Sequence, residues 1–196
     1  MRINEFRVPL VMLVSLTLLT GLVYPLTVTA IAQLFFPVQA NGSLVSADGV
    51  TVGSSLIGQA TDDPHYFWSR PSAVDTMLGS SLDALGSSGA TNFSSTNAAL
   101  AQIVAEREAV FRAANNLPED VAVPVEMLFT SGSGLDPHIS PEAARLQAER
   151  VAEARGLSIE TVKALVEAHI ETPVLGFLGQ PRVNVLLLNL ALDALE

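Results

Sequence analysis

The chain has 196 residues, 49 % of them hydrophobic and only 15 % charged, and ten basic against twenty acidic residues leave a net charge of −10. An acidic chain lacks the basic patch that neutralises phosphates, which excludes nucleic acid as a partner. The absence of cysteine excludes a disulfide scaffold or a thiolate metal site, and the apolar content excludes an acidic disordered tail.

The apolar residues are concentrated at the N-terminus. Arg7 is the last charged residue before Asp48, and Val8 to Phe36 is almost continuously apolar. A helix of that length spans about 43 Å against roughly 30 Å of hydrocarbon, enough for one membrane crossing. The hydroxyls of Ser15, Thr17, Thr20, Thr27 and Thr29 can bond back to the helix backbone. Gly21 and Pro25 predict a local kink. Arg2 and Arg7 precede the span and no basic residue follows before Arg70. The positive-inside rule therefore predicts a cytoplasmic N-terminus (1–7), a transmembrane helix (8–36) and an extracytoplasmic domain (37–196). Residues 1–7 hold Arg2, Arg7 and Glu5, a net +1, so the other 189 residues carry −11. The rival is a cleaved signal peptide with Val38-Gln39-Ala40 as its cleavage site; a span roughly twice the usual signal core favours a retained anchor.

About 156 residues remain, enough for one α/β (α+β) domain with its own core. The runs Ser43–Ser46 and Val50–Ile57 flank Asp48-Gly49, a hairpin turn pair. Tyr66-Phe67-Trp68 reads as a third β-like run with its aromatics in the core. Residues 72–95 are Ser/Gly-rich, the composition of a long loop. Thr96 is a candidate cap for a helix reaching about Asn115, with Leu100, Ile103, Val104, Val110, Phe111 and Ala114 at helical spacing. Residues 117–128 read as irregular. Ser140-Pro141-Glu142 starts a helix that ends at Gly156. Ser158 opens another that ends before Pro173. The tail from Val183 reads as a buried strand, with residues 186–195 also compatible with a helix.

Chemistry-bearing motifs are few. The chain has no phosphate-cradling Gly-x-x-x-x-Gly-Lys-Ser/Thr loop and no dinucleotide fingerprint. His65, His138 and His169 lack the spacing of a helical zinc site. Ser133, Asp136 and His138 contain the residue types of a catalytic triad. Three members within six residues cannot easily converge as a triad does, and a turn bonded to its own amides is the favoured reading. Arg70 can hold an anion or pair with one of the acids, the pairing being favoured. Asn41-Gly42-Ser43 and Asn92-Phe93-Ser94 match a glycosylation sequon that is common by chance.

Three segments together carry a family resemblance. Tyr66-Phe67-Trp68-Ser69-Arg70-Pro71-Ser72-Ala73 resembles the YFxxRPSA motif of the C subunit of potassium-transporting ATPases (the KdpC family). Ser131-Gly132-Ser133-Gly134-Leu135-Asp136-Pro137-His138-Ile139-Ser140 is similar to that family's SGSGLDPHIS segment at every position. The run from Asn184-Val185-Leu186 through Leu188-Asn189-Leu190-Ala191-Leu192-Asp193 resembles its NVLxLNLALD ending. The family's loop SGGSNLGPTN departs here: Thr96-Asn97 is kept, Ser95 stands for the proline, and the glycine spacing from Gly86 is altered.

The resemblance implies a non-catalytic accessory subunit of an ATP-driven, high-affinity potassium transport complex in a bacterial inner membrane, single-pass and lipid-embedded. Implied partners are a channel-like potassium-translocating subunit, a P-type ATPase subunit and a small single-helix subunit. The implied role is assembly and a catalytic-chaperone effect that raises the ATPase subunit's affinity for ATP. ATP enters only through that resemblance, as a ligand shared with the ATPase subunit; the altered loop carries no ATP contacts here. Tyr66, Phe67, Arg70, Pro71, Thr96, Asn97, Ser131, Gly132, Ser133, Gly134, Asp136, Pro137 and His138 are the candidate structural or subunit-contact residues. The alternatives are a secreted or membrane-anchored periplasmic enzyme and a solute-binding module.

Overall fold

The computed structural model describes residues 4–72 and 88–195. Most of the Ser/Gly-rich stretch, with Ala73, Gly86 and Ser87, lies outside the described residues, as does Arg2. The chain divides into two compact units, Met1–Leu44 and Val45–Glu196.

In the first unit, helix α1 (Asn4–Leu18), a π-helical turn (Leu19–Val23) and helix α2 (Tyr24–Phe35) run on without interruption. Phe6–Phe35 forms a 30-residue apolar rod of mean hydropathy 2.0 whose most apolar window has no buried residue. Thr20 and Thr27 donate their hydroxyls to Leu16 O and Val23 O, both at 2.7 Å, so they add no unpaired polar group to the rod. The predicted irregularity lies at the π turn. Pro25 has no N–H for the carbonyl one turn back, and the ladder widens just before it. Phe36 leaves helical space (φ −136°, ψ 53°) ahead of Pro37, and a short helix α3 (Pro37–Ala40) follows. Asn41 closes the unit through a reciprocal amide pair with Gln33 at 3.1 and 3.3 Å.

The second unit is a mixed α/β fold with two small sheets. Strands β1 (Leu44–Ala47) and β2 (Val50–Ser54) form a two-stranded ribbon. Asp48 and Gly49 between them both take positive φ, 51° and 78°, as a primed two-residue turn requires. Helix α4 (Ala98–Ala114) is capped by Asn97, whose Oδ1 accepts from Ala99 N at 2.8 Å. The expected cap Thr96 instead meets the Ser94 hydroxyl at 3.0 Å. The irregular stretch contains one 3₁₀ turn, Val125–Met127.

Helix α5 (Pro141–Arg155) starts as expected, with Ser140 Oγ accepting from Ala143 N at 3.1 Å, and stops at Gly156 with φ +66°. Helix α6 (Ile159–Ala168) is capped by Ser158. Strands β3 (His138–Ile139), β4 (Ile170–Glu171) and β5 (Arg182–Asn184) form an antiparallel sheet in the order β3-β5-β4, with His138 opposite Asn184 and Ile170 opposite Val183. The expected terminal strand is only three residues long. Asn184 accepts from Leu187 N at 3.2 Å and caps helix α7 (Val185–Asp193), so the helical alternative prevails. The core gathers Phe67, Ile139, Val151, Val162, Val166, Val183, Leu188 and Leu192. One face of α5 supplies Ala143, Ala144, Ala148 and Ala152, small residues that let neighbouring elements approach closely.

Tyr66-Phe67-Trp68 belongs to neither sheet. It has no partner strand: the Tyr66 N–H donates to Asp63 O, and side chains satisfy the Tyr66 carbonyl and the peptide groups of Phe67 and Trp68.

Candidate functional site

Residues 64–66 make a turn that leads into an irregular strap, 67–72, held largely by side chains from distant parts of the chain. Phe67, fully buried, donates its N–H to Asn189 Oδ1 at 2.9 Å, and its carbonyl accepts from Asn189 Nδ2 at 3.0 Å. Trp68 makes the same pair with the fully buried Gln147, at 2.7 Å to Oε1 and 3.3 Å from Nε2. Each carboxamide thus replaces one rung of a β ladder, which satisfies the buried peptide groups without a strand.

Two arginines of α5 back the strap. Arg150, 8 % exposed, donates to Asn115 Oδ1 (3.0 Å), Pro64 O (2.7 Å), Tyr66 O (3.0 Å) and Gln147 Oε1 (2.9 Å). Its guanidinium lies 4.5 Å from the Trp68 ring centroid. Among the described residues no carboxylate forms an ion pair with it, and burial lowers its pKa to about 10 against the pull of Asp63. Arg155 stacks 4.7 Å from the Tyr66 ring, donates to His65 O at 2.8 Å and pairs with Asp193 at 2.6 Å.

At its other end the strap meets the Ser131–Ser140 segment. Arg70 Nη1 lies 2.7 Å from Asp136 Oδ2, and Ser72 Oγ donates to Gly134 O at 2.6 Å. Asp136 uses its second oxygen to accept from His138 N (3.0 Å) and to face His138 Nδ1 (3.2 Å). Gly58 donates to Leu135 O at 2.8 Å, and a Cβ there would sit 2.7 Å from Asp136 O. Backbone approaches that close only because the residue has no side chain. Pro137 O accepts from Val185 N at 3.0 Å, and Asn184 Nδ2 donates to Ser55 O at 2.8 Å. The three sequence motifs are therefore bonded to one another across separations of 48 residues (Pro137–Val185) to 122 residues (Phe67–Asn189).

The candidate residues divide between this junction and its surroundings. Tyr66, Phe67, Arg70, Gly134, Asp136, Pro137 and His138 join it. Pro71 lines a cleft of about 680 Å³ with Trp68, Arg70, Phe93, Arg107 and Met127. Thr96 and Asn97 are spent on the start of α4. Ser133 Oγ accepts from Leu135 N at 3.1 Å and meets Ser131 Oγ at 3.3 Å, whereas His138 faces Asp136. That turn is bonded to its own amides, and the serine and histidine serve different partners. Gly132 sits between the two serines with open space around it. Among the described residues no three His, Asp or Glu side chains cluster as a metal would need.

The sequence reading missed Gln147, Arg150, Asn115 and Asn189. Gln147 and Arg150 sit on a helix face otherwise lined with alanine and Val151, and a polar residue at such a position is the available signal of a buried network.

Comparison with known proteins assigns the chain to a family. The family model "K+-transporting ATPase, c chain" matches residues 6–194. The potassium-transporting ATPase KdpC subunit of Sorangium cellulosum (strain So ce56) is 55 % identical over 190 residues, covering 96 % of this chain and 97 % of the relative. That of Methylococcus capsulatus is 51 % identical over 195 residues, covering 99 % and 100 %. That of Mycobacterium tuberculosis (strain ATCC 25177 / H37Ra) is 52 % identical over 186 residues, covering 95 % and 96 %. With the apolar rod, the clamped strap and the Arg70–Asp136 junction all inside the matched span, the chain belongs to the KdpC family, the c chain of K⁺-transporting ATPases.

Proposed function

We propose that this chain is the membrane-anchored, non-catalytic subunit that supports assembly and ATP use of a potassium-transporting ATPase. The observation that carries the proposal is the family match across residues 6–194, which includes the anchor as well as the domain. Its partners are a channel-like potassium-translocating subunit, a P-type ATPase subunit and a small single-helix subunit. Residues 1–7 are cytoplasmic, residues 8–36 cross the bilayer and residues 37–196 lie outside, as the flanking charges support.

In that topology the domain and cytoplasmic ATP lie on opposite sides of the membrane. An effect on ATP affinity is then a coupling free energy carried by the helix or by a partner subunit. The junction of Arg70, Asp136 and His138 is the contact surface we assign first. It opens onto a shallow cleft shared with Glu126, Gln180 and Arg182, where charged groups of both signs can set register with a partner. The −11 carried beyond residue 7 raises the local cation concentration near a potassium entrance, an effect that salt weakens.

Co-expression of this chain with the three partner subunits tests the reading. A complex that contains all four, and that loses the channel-like or ATPase subunit when this chain is omitted, is the expected result. A complex that assembles and hydrolyses ATP with unchanged ATP affinity in its absence contradicts it.

A further inference from the structure

The loop that joins β4 to β5 supplies one wall of the charged cleft and also builds a knob beside it. Gln180, Pro181 and Arg182 line the cleft opposite Glu126, Asp136 and His138. Two residues before Gln180, Val174 and Leu178 bridge each other around Leu175-Gly176-Phe177, with N–H to O distances of 3.1 and 2.9 Å. Gly176 N also donates to Pro173 O at 2.9 Å, so the knob is held by its own backbone. The Glu171–Arg182 ion pair (2.9 Å) closes the loop, and the ten residues between that pair carry no charge. Among the described residues of the second unit, Leu175 at 78 % and Phe177 at 73 % are the most exposed large apolar side chains. Leu175 also takes a positive φ of 55°, a conformation that leucine rarely adopts. Folding alone gains nothing from an arrangement that strains a leucine in order to hold it in water.

We infer that residues 174–178 are the apolar anchor of the subunit contact at this cleft, and that the knob seats in an apolar socket of a partner subunit. The inference deepens the contact proposed above and rests on it. Continuity carries it: knob and cleft wall are one loop, so a surface that reaches the cleft also meets the knob. An apolar anchor beside a polar rim is the anatomy of a specific protein interface, where a few large side chains carry most of the binding energy. The rim here holds fixed charges of both signs, Glu126 and Asp136 against Arg70 and Arg182. Only a folded protein surface offers counter-groups of both signs at fixed positions, which selects a protein as the occupant. The self-bonded backbone of the knob lowers the ordering cost of seating it.

Photo-crosslinking in the co-expressed complex tests the assignment. A benzophenone amino acid replaces Phe177 or, for comparison, Val50, a comparably exposed apolar position on β2. The expected result is an adduct between residue 177 and a partner subunit, several-fold more abundant than any from residue 50. The double variant Leu175→Asp, Phe177→Asp should co-purify several-fold less partner, while its urea midpoint alone in micelles matches that of the unsubstituted chain. An intact complex in which residue 177 joins only lipid, only a second copy of this chain, or nothing overturns the anchor and leaves the subunit role standing. Full partner recovery with the double variant overturns it as well. Failure of the unsubstituted chain to form any complex removes the subunit role, and the anchor falls with it.

Discussion

Gln147 and Trp68 exchange two hydrogen bonds, 2.7 Å from the Trp68 amide and 3.3 Å to its carbonyl, across 79 residues of sequence. The same Gln147 oxygen accepts from Arg150 Nη2 at 2.9 Å. Replacing Gln147 by the near-isosteric leucine would leave a buried N–H, a buried C=O and one guanidinium proton unpaired. We expect Gln147→Leu to lose about 2–4 kcal/mol of stability. Arg150→Lys should lose a similar amount, because an ammonium cannot span four acceptors. Trp68 is the only tryptophan in the chain, so its fluorescence during urea unfolding of the full chain in micelles reports both losses. Unchanged midpoints would show that the clamps are dispensable.

Gly58 supplies a second, backbone-level test. A Cβ at 2.7 Å from Asp136 O has no flexible neighbour to displace, since the obstacle is main chain. Gly58→Ala is expected to push residues 135–137 away, break the Gly58–Leu135 bond and cost about 1–3 kcal/mol. Gly132→Ala, which meets open space, serves as the neutral comparison. Equal unfolding midpoints for the two variants would contradict the close approach.

Arg70 and Asp136 pair with side chains 22 % and 31 % exposed. A double-mutant cycle with Arg70→Ala and Asp136→Asn isolates their interaction. Partial screening by water limits the expected coupling to about 1 kcal/mol. A coupling indistinguishable from zero would mean that the pair fixes no register between strap and turn.

The pH dependence has two arms. The Arg145 guanidinium, hydrogen-bonded at 2.6 and 3.0 Å, holds the Glu167 carboxyl below its usual 4.5. Folding then contributes stability above the unfolded value that disappears as pH falls through the folded one. Wild-type protein should lose stability below about pH 4.5 more steeply than Glu167→Gln. At the alkaline end the sign reverses. Burial lowers the Arg150 pKa to about 10, below its unfolded value, so the penalty of burying its charge lifts as pH rises above about 10. Urea midpoints measured across pH for wild type, Glu167→Gln and Arg150→Met separate the two arms.

Local signals in the sequence located what local physics controls. Ser140-Pro141-Glu142, Ser158 and Asp48-Gly49 act within a turn of their own position, and each appears in the fold where its chemistry places it. Tyr66-Phe67-Trp68 shows where that approach stops. Its apolar, aromatic run has the pattern of a strand, yet the partners of its peptide groups are carboxamides 79 and 122 residues away, which no periodicity encodes. The strand at Val183 was shortened for a comparable reason, because the Asn184 side chain caps a helix and ends the ladder. At the candidate site Arg70 and Asp136 were each visible as charged motif residues, but their pairing is a tertiary fact. The arginines of α5 were invisible as site residues because a charged side chain on a helix ordinarily faces solvent.

ATP hydrolysis by the reconstituted complex, measured with and without this chain at varied ATP and potassium, tests the central claim most directly. The account predicts that the chain alone hydrolyses nothing, and that adding it restores potassium-stimulated turnover and lowers the ATP concentration at half-maximal rate. Hydrolysis by the chain alone, or full turnover at unchanged ATP dependence without it, would contradict the account.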